Sequence, residues 1–375
     1  MRVLHVNAGN MYGGVETFLV TLARQARLCP DMESSFGFCF AGRFSEELGA
    51  AGAPTYPLGA VRTSRFWTIW ESRQELRRIL QRIPFDIVIC HMPWNLVVFG
   101  PEARRAEKPL VFWAHSPATG HGWLEFWARR TRPDLAIANS RFTAGSMPRL
   151  FPDVRSRVIY IPVAIPEIRT TDALAVRQKF GVSRDTVVIV QVSRMEAWKG
   201  HMLHLQALAR LRDLPGWVCW MVGGAQRDAE LKYLSHLNRE TVRLGIADRV
   251  RFLGQRPDVP QILAAADIFC QPNEAPEPFG IVFIEALGAG LPVVTTRIGG
   301  TAEIITHAEC LVSPGNPDAL AEQLRRLINS PEHLRAIGRS GPERAKSLCD
   351  PAKQINELHR TLIGLTGAVS APVMS

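Results

Sequence analysis

The sequence predicts an α/β protein of two doubly wound domains, each a parallel sheet with crossover helices. Three observations carry this. Short apolar, β-branched runs alternate with longer amphipathic segments over nearly the whole chain, the alternation falls into two series, and 375 residues are enough for about two domains. The first series predicts strands at 2–7 (RVLHVN), 35–41, 86–90 (DIVIC), 109–115 (PLVFWAH), 134–139 (DLAIAN) and 157–161 (RVIYI), with helices near 14–28, 66–82, 121–131 and 140–150. The second predicts strands at 186–193 (TVVIVQVS), 217–222 (WVCWMV), 249–253, 267–270 (DIFC), 292–295 (PVVT) and 309–312, with helices near 200–212, 227–244, 281–290, 317–329 and 331–348. Residues 162–182 contain two prolines and no strand pattern, and are expected to link domain 1–165 to domain 183–350. The segment 351–366 reads as a last helix that packs back on the first domain, and 367–375 as a frayed tail. Two such domains face to face leave a central cleft lined by the carboxyl ends of their strands, where chemistry is expected.

Composition narrows the class. Hydrophobic residues make up 46% and charged residues 21%, with 29 Gly and 26 Pro, which excludes collagen, coiled-coil and low-complexity chains. The start, MRVLHVNAGNMYGG, turns polar too soon for a signal peptide, and no run of about 18 charge-free apolar residues occurs, so a soluble, cytoplasmic protein is expected. The seven cysteines are odd in number and never closer than ten positions, against a disulfide framework or a paired-cysteine metal site. The net charge of +9 is uneven: residues 1–165 hold 20 Lys and Arg against 13 Asp and Glu, which points to an anionic partner for that half. Within it, 62–82 (RTSRFWTIWESRQELRRILQR) combines six Arg with Phe66, Trp67 and Trp70. That pattern suits an anionic membrane surface, and a solvated helix with its aromatics turned inward accounts for it as well.

Candidate chemistry lies at strand ends. The first strand runs into AGNMYGGVETFL, placing Gly9, Gly13 and Gly14 in the turn before a helix, where backbone N–H groups bind anions. The spacing is not that of a dinucleotide fingerprint, tight-turn geometry alone would explain the glycines, and Glu16 simply favours the helix dipole. In the second series VSRMEAWKGH puts Arg194 and Lys199 after the first strand, two cations suited to the two phosphates of a nucleoside diphosphate. The next strand ends at Gly223 and Gly224, a turn open to close approach by a ligand or by packing. In QPNEAPEPFGIVFIEALGAGLPVV, Glu277 occupies a loop and Glu285 the helix that follows, with the N–H groups of Gly280 and Ile281 at the helix start. Glu285 sits in an apolar helix, where an unpaired carboxylate is costly, so a ligand or an Arg partner is expected. His115 ends an apolar run and stands at the carboxyl end of a strand. His121, His201 and His204 lack ligand spacing, no metal site is expected, and no Asp-x-Asp pair is present to hold a divalent ion.

Taken together, GGVE at 13–16, His115, Arg194 with Lys199 in SRMEAWKG, and the Glu-x7-Glu run EPFGIVFIE from Glu277 to Glu285 resemble the retaining glycosyltransferases of family 4, with the GT-B fold of two Rossmann-like domains. The resemblance spans residues 13 to 285 and implies a nucleotide-sugar donor held mainly by the C-terminal domain. It implies that Arg194 and Lys199 neutralise the diphosphate and that Glu285 binds the ribose. Glu277 would hold the sugar hydroxyls with the N–H groups of Phe279, Gly280 and Ile281, while Gly13 and Gly14 approach the phosphates and His115 the sugar. Trp198 before the lysine departs from the usual small or acidic residues of that loop.

Cleaving a sugar from a diphosphate builds negative charge on the leaving oxygen, so the site needs cations there more than a nucleophile at carbon. No second carboxylate is placed as a covalent nucleophile, and a same-face displacement with retention, needing no metal or cofactor, is expected. The acceptor is expected to be a glycan or a lipid-linked glycan, in polysaccharide synthesis at the inner membrane face. A nucleotide-sugar epimerase and an inactive scaffold of a glycan-assembly complex are the competing readings. A dinucleotide oxidoreductase lacks its fingerprint, and no nucleic-acid motif accompanies the charge.

Overall fold

A computed structural model describes residues 1–62 and 64–369, without the side chains of Thr170 and 367–369. The chain divides into two compact units, one formed by 1–164 with the segment that returns at Cys349, the other by Ile165–Leu348.

In the first unit the elements are β1 (Arg2–Asn7), α1 (Gly14–Arg24), β2 (Glu33–Phe38), α2 (Arg43–Ala50), β3 (Thr55–Pro57), α3 (Phe66–Arg82), β4 (Ile87–His91), α4 (Met92–Arg105), β5 (Leu110–Ala114), α5 (Trp123–Ala128), β6 (Leu135–Ala138), α6 (Arg141–Leu150) and β7 (Ser156–Val158). The strands form one parallel sheet in the order β3-β2-β1-β4-β5-β6-β7. Every residue of β4, β5 and β6 is buried, as strands covered by helices on both faces require. Val88, Cys90 and Phe112 meet Leu96 and Phe99 of α4 in the core.

The second unit contains α7 (Thr170–Lys179), β8 (Val187–Val192), α8 (His201–Ala209), β9 (Trp217–Val222), α9 (Asp228–Arg243), β10 (Val250–Gly254), α10 (Val259–Ala265), β11 (Ile268–Gln271), α11 (Ile281–Gly288), β12 (Val293–Thr296), α12 (Thr301–Ile304), β13 (Leu311–Val312), α13 (Pro317–Asn329), α14 (Pro331–Arg339) and α15 (Gly341–Cys349). Its sheet is also parallel, in the order β10-β9-β8-β11-β12-β13. In each sheet the order reverses beside the first strand, between β1 and β4 and between β8 and β11, and open α/β sheets bind ligands at such points. α16 (Pro351–Val369) then joins the first unit, where the Asn356 amide reaches Leu28 O.

Several segments differ from expectation for local reasons. The linker expected at 162–182 contains α7, which packs on α10, and Arg177 of α7 donates to Ala265 O and pairs with Asp267 at 2.5 Å. The helix expected at 331–348 is two helices, because Pro342 has no N–H for the carbonyl of residue 338 and the chain turns at Ser340. The segments 42–65 and 91–96, which lie outside the elements expected above, contain α2 and β3 and open α4. Pro93, Gly100 and Pro101 obscure the period of α4. Pro101 leaves Val97 O without its helical donor, and Arg73 of α3 supplies one, its guanidinium donating to Val97 O at 3.0 Å and to Val98 O at 2.7 Å. Of the tail expected at 367–375, the first three residues complete α16 and 370–375 lie outside the described residues.

Candidate functional site

Two groups of expected residues lie at the carboxyl ends of the strands that flank the reversal in the second sheet. After β8 the chain passes Ser193 and Arg194, makes a short 3-10 turn at Ala197–Lys199, and enters α8. Arg194 is held by two carboxylates, Glu196 at 2.9 Å and Glu230 at 3.8 Å, and Glu230 also accepts from Gln226 N. Lys199 lies over the ring of Trp198 at 3.9 Å and pairs with Glu277 at 2.5 Å. The loops after β8 and β11 are tied further by Glu274 N donating to Trp198 O at 2.8 Å. Trp198 thus shapes the loop without displacing its cation.

Glu277 is buried, and its Oε2 also accepts from the Asn273 amide, whose oxygen accepts from Gln271. Its carbonyl accepts from Gly300 N at 2.7 Å. Gly280 caps α11 in the left-handed region at φ +96°, and the N–H groups of Gly280 and Ile281 have no acceptor among the described residues. Phe279 is buried. Glu285, half-buried one turn into α11, forms no side-chain hydrogen bond or ion pair with the described residues, and desolvation pushes its carboxyl up to about 7. The Arg partner expected as one resolution of that burial is not there.

Gly223 sits at φ +143°, and a Cβ there would stand 1.8 Å from Ser193 O. Its close approach is therefore to the backbone just before Arg194, which accounts for the glycine by packing.

In the first unit Gly13 is the N-cap of α1 and Gly14 its first residue. Glu16 does more than favour the dipole. Its carboxylate accepts from Gly13 N at 2.9 Å and from the Asn7 amide at 2.8 Å, fixing the glycine turn to the end of β1. His115 follows β5, buried, with Nε2 at 2.9 Å from His91 Nδ1, and His91 Nε2 lies 3.1 Å from His5 Nδ1. Among the described residues no group of three or more His, Cys, Asp or Glu could hold a metal ion, and no helix is long and apolar enough to cross a membrane.

Sequence reasoning passed over Gln191, Asn273 and Glu230, and with them His5 and His91. For Gln191, His5 and His91 the signal was present as a polar residue within or at the end of an apolar strand, in VIVQ, VLH and VICH. Gln191 donates to Lys199 O at 2.9 Å and accepts from His204 Nδ1 at 2.8 Å, and burial lowers His204 to about 3, so that ring is neutral.

The basic segment also changes character. Arg77 pairs with buried Glu102 at 2.9 Å, Arg73 serves the carbonyls of α4, and Arg78 pairs with Glu75. These cations have protein partners, whereas Phe66 is 78% and Trp70 63% exposed, so the inward-turned aromatics of the alternative reading are not found there.

Comparison with known proteins agrees with this layout. The family model "Glycosyltransferase Family 4" matches residues 12–166 and "Glycosyl transferases group 1" matches 172–344. A GDP-mannose-dependent alpha-(1-6)-phosphatidylinositol monomannoside mannosyltransferase of Mycolicibacterium smegmatis is 30% identical over 71% of this chain and 73% of its own length. A D-inositol 3-phosphate glycosyltransferase of Segniliparus rotundus is 29% identical over 64% of this chain and 54% of its own. The chain spans about half the length of several curated relatives it matches. The crystal structure of HepE from Anabaena in complex with UDP superposes with a TM-score of 0.85 at 26% identity, covering 97% of this chain and 100% of that one. With both halves matched in order and one relative aligned over most of its length, the chain belongs to glycosyltransferase family 4.

Proposed function

We propose that the protein is a retaining glycosyltransferase that moves a sugar from a nucleoside-diphosphate donor to a hydroxyl of a glycan or lipid-linked acceptor, without a metal. The observation that carries this is Lys199 beside Glu277 at the sheet reversal of the second unit: a cation for phosphate next to a carboxylate for sugar hydroxyls. Arg194 supplies the second phosphate cation, Glu285 accepts from the ribose hydroxyls, and the open N–H groups of Gly280 and Ile281 take oxygens of the bound donor. In the first unit Gly13 and Gly14 are assigned to phosphate and His115 to a sugar hydroxyl.

In the reaction, the bond between the anomeric carbon and the diphosphate oxygen breaks, and its electron pair leaves with the phosphate. The acceptor oxygen bonds to that carbon on the same face and passes its proton to the departing phosphate oxygen. The products are a glycoside with retained configuration and a nucleoside diphosphate. Arg194 and Lys199 stabilise the charge that develops on the leaving group, the term that dominates such transfers. Neither an epimerase nor an inactive scaffold is favoured, since the matched family and the assembled cation-carboxylate pair both serve transfer.

The named relative uses GDP-mannose and the solved neighbour holds UDP, so both bases belong in the test. Calorimetry with UDP, GDP and ADP and their sugars is expected to give one tight nucleotide, weakened at least tenfold by Arg194→Ala and by Glu285→Ala, with binding and turnover unchanged in EDTA. Absence of binding to all three, or dependence on a divalent ion, would remove this reading.

A lipid-linked acceptor agrees with a peripheral position at an anionic membrane. Because Arg73 and Arg77 are engaged with α4, that contact is assigned to Phe66, Trp67 and Trp70 with exposed Arg62 and Arg65. Trp123, Phe126 and Trp127 of α5, a helix that also packs on α4, are exposed as well, with Arg130 stacked over two of the rings at 4.3 and 4.4 Å.

A further inference from the structure

We propose that His5 and His91 fix the tautomer of His115, so that its Nδ1 is presented as a hydrogen-bond donor to a ligand oxygen. The three rings belong to neighbouring strands, His5 within β1, His91 at the end of β4 and His115 just past β5. They bond in one line, His5 Nδ1 to His91 Nε2 at 3.1 Å and His91 Nδ1 to His115 Nε2 at 2.9 Å. Trp113 lies parallel to His115 at 6°, Phe18 lies against both His91 and His115, and Phe36 stacks on His5 at 5.4 Å, so none of the rings can turn.

Proton counting then orders the line. A neutral imidazole carries one N–H, and burial lowers His5 and His115 to about 3 and His91 well below its usual value, so all three rings are neutral at pH 7. Three N–H groups serve two bonds, which leaves one N–H at an end of the line. The ends are His5 Nε2 and His115 Nδ1, and neither has a partner among the described residues.

An unsatisfied buried N–H costs about 1–3 kcal/mol, so the spare proton belongs at the end a ligand can reach. Both end nitrogens are buried in the ligand-free protein, but His5 lies within β1 and is fully buried, whereas His115 stands past the carboxyl end of its strand with 7% of its surface exposed, so it is the end nearer to solvent. The bonds therefore run His5 Nδ1–H to His91 Nε2 and His91 Nδ1–H to His115 Nε2, and His115 Nδ1–H is the donor left for a ligand. His5 and His91 are positioning residues in this arrangement. The reversed line would leave an acceptor at His115 and an orphaned N–H sealed at His5.

The identity of the ligand rests on the proposed function, and the tautomer does not. The test is long-range proton–nitrogen NMR of the histidine side chains in the 15N-labelled, ligand-free protein at pH 7, with resonances identified by single substitution. Expected are protonated Nδ1 and bare Nε2 on all three rings; a protonated Nε2 on His115 overturns the proposal. His91→Phe keeps an aromatic ring against Trp113 but removes both bonds, and is expected to release His115 into averaged tautomers. An unchanged His115 spectrum overturns the relay, and His5→Phe makes the same comparison if the first variant does not fold.

UDP-glucose and GDP-mannose are then added in turn. Whichever binds is expected to move the His115 Nδ1 proton, and His91→Phe to lower kcat/KM about tenfold, the worth of one hydrogen bond. Binding with that proton unmoved overturns the donor role. If neither binds, ADP-glucose is added; if none of the three binds, the proposed function fails, and the spectrum of the free protein still decides the relay.

Discussion

Glu285 shows how a single residue of the site works against the fold. Its carboxyl is raised to about 7 by desolvation, while an unfolded chain leaves it near the ordinary value of 4.5. A group raised in this way weakens the fold as pH climbs from the unfolded value to the folded one, and the loss is complete above pH 7. For a half-buried group about 2 kcal/mol is a reasonable size. Glu285→Gln is therefore expected to raise the stability to chemical denaturation by about 2 kcal/mol at pH 8 and hardly at all at pH 4.5, while weakening nucleotide binding. Equal stabilisation at both pH values would show that the carboxyl is not strained. The apolar run IVFIEALGAG made this residue legible before any coordinates, because an acid among such neighbours needs a reason. Asn273 carried no comparable signal, since its role depends on a side-chain chain from Gln271 to Glu277 that only the folded loop assembles.

At the scale of elements, α3 and α4 explain one another. The cations of α3 read in sequence as a charged face for an outside partner, yet two of them repair α4. Arg73 donates to the carbonyl that Pro101 leaves open, and Arg77 neutralises Glu102, which is buried beside it with Arg105 as a second partner. Arg77→Ala is expected to cost about 1–3 kcal/mol in denaturant unfolding, because Glu102 loses one of its two cations without leaving the interior. Arg78→Ala, whose pair with Glu75 is exposed, is expected to change stability by less than about 0.5 kcal/mol. Equal effects would mean that the buried pair contributes no more than the surface one. α3 itself was legible to its ends, since its period is unbroken, whereas α4 was hidden by two prolines and a glycine whose costs are met by another helix.

For the molecule as a whole, the excess positive charge of the first 165 residues and the exposed rings of α3 and α5 fall in the same unit. Co-sedimentation with phosphatidylglycerol vesicles at low salt is expected to carry the protein down, with little binding to phosphatidylcholine and release at high salt. Trp67→Ser with Trp70→Ser, and Trp123→Ser with Trp127→Ser, should each reduce binding several-fold while leaving donor affinity intact. Equal sedimentation with neutral vesicles, or no loss in either pair of variants, would end the membrane assignment.

The sequence by itself determined that there are two parallel-sheet domains, where nearly every strand lies, which loops hold Arg194, Lys199 and Glu277, and which helix holds Glu285. These follow from local pattern: a strand buried on both faces must be apolar throughout, and polar residues at its carboxyl end stand out against that run. Only the tertiary structure decided what those residues touch. Lys199 and Glu277 are 78 positions apart, His5 and His91 are 86 apart, and each pair meets because neighbouring strands of a sheet bring their ends together. The same holds for Arg73 and Arg77 of α3, whose partners lie on α4, some 25 residues further along the chain. Composition can say that a cation is present, but whether it is committed depends on which buried acceptor the packing leaves within its reach.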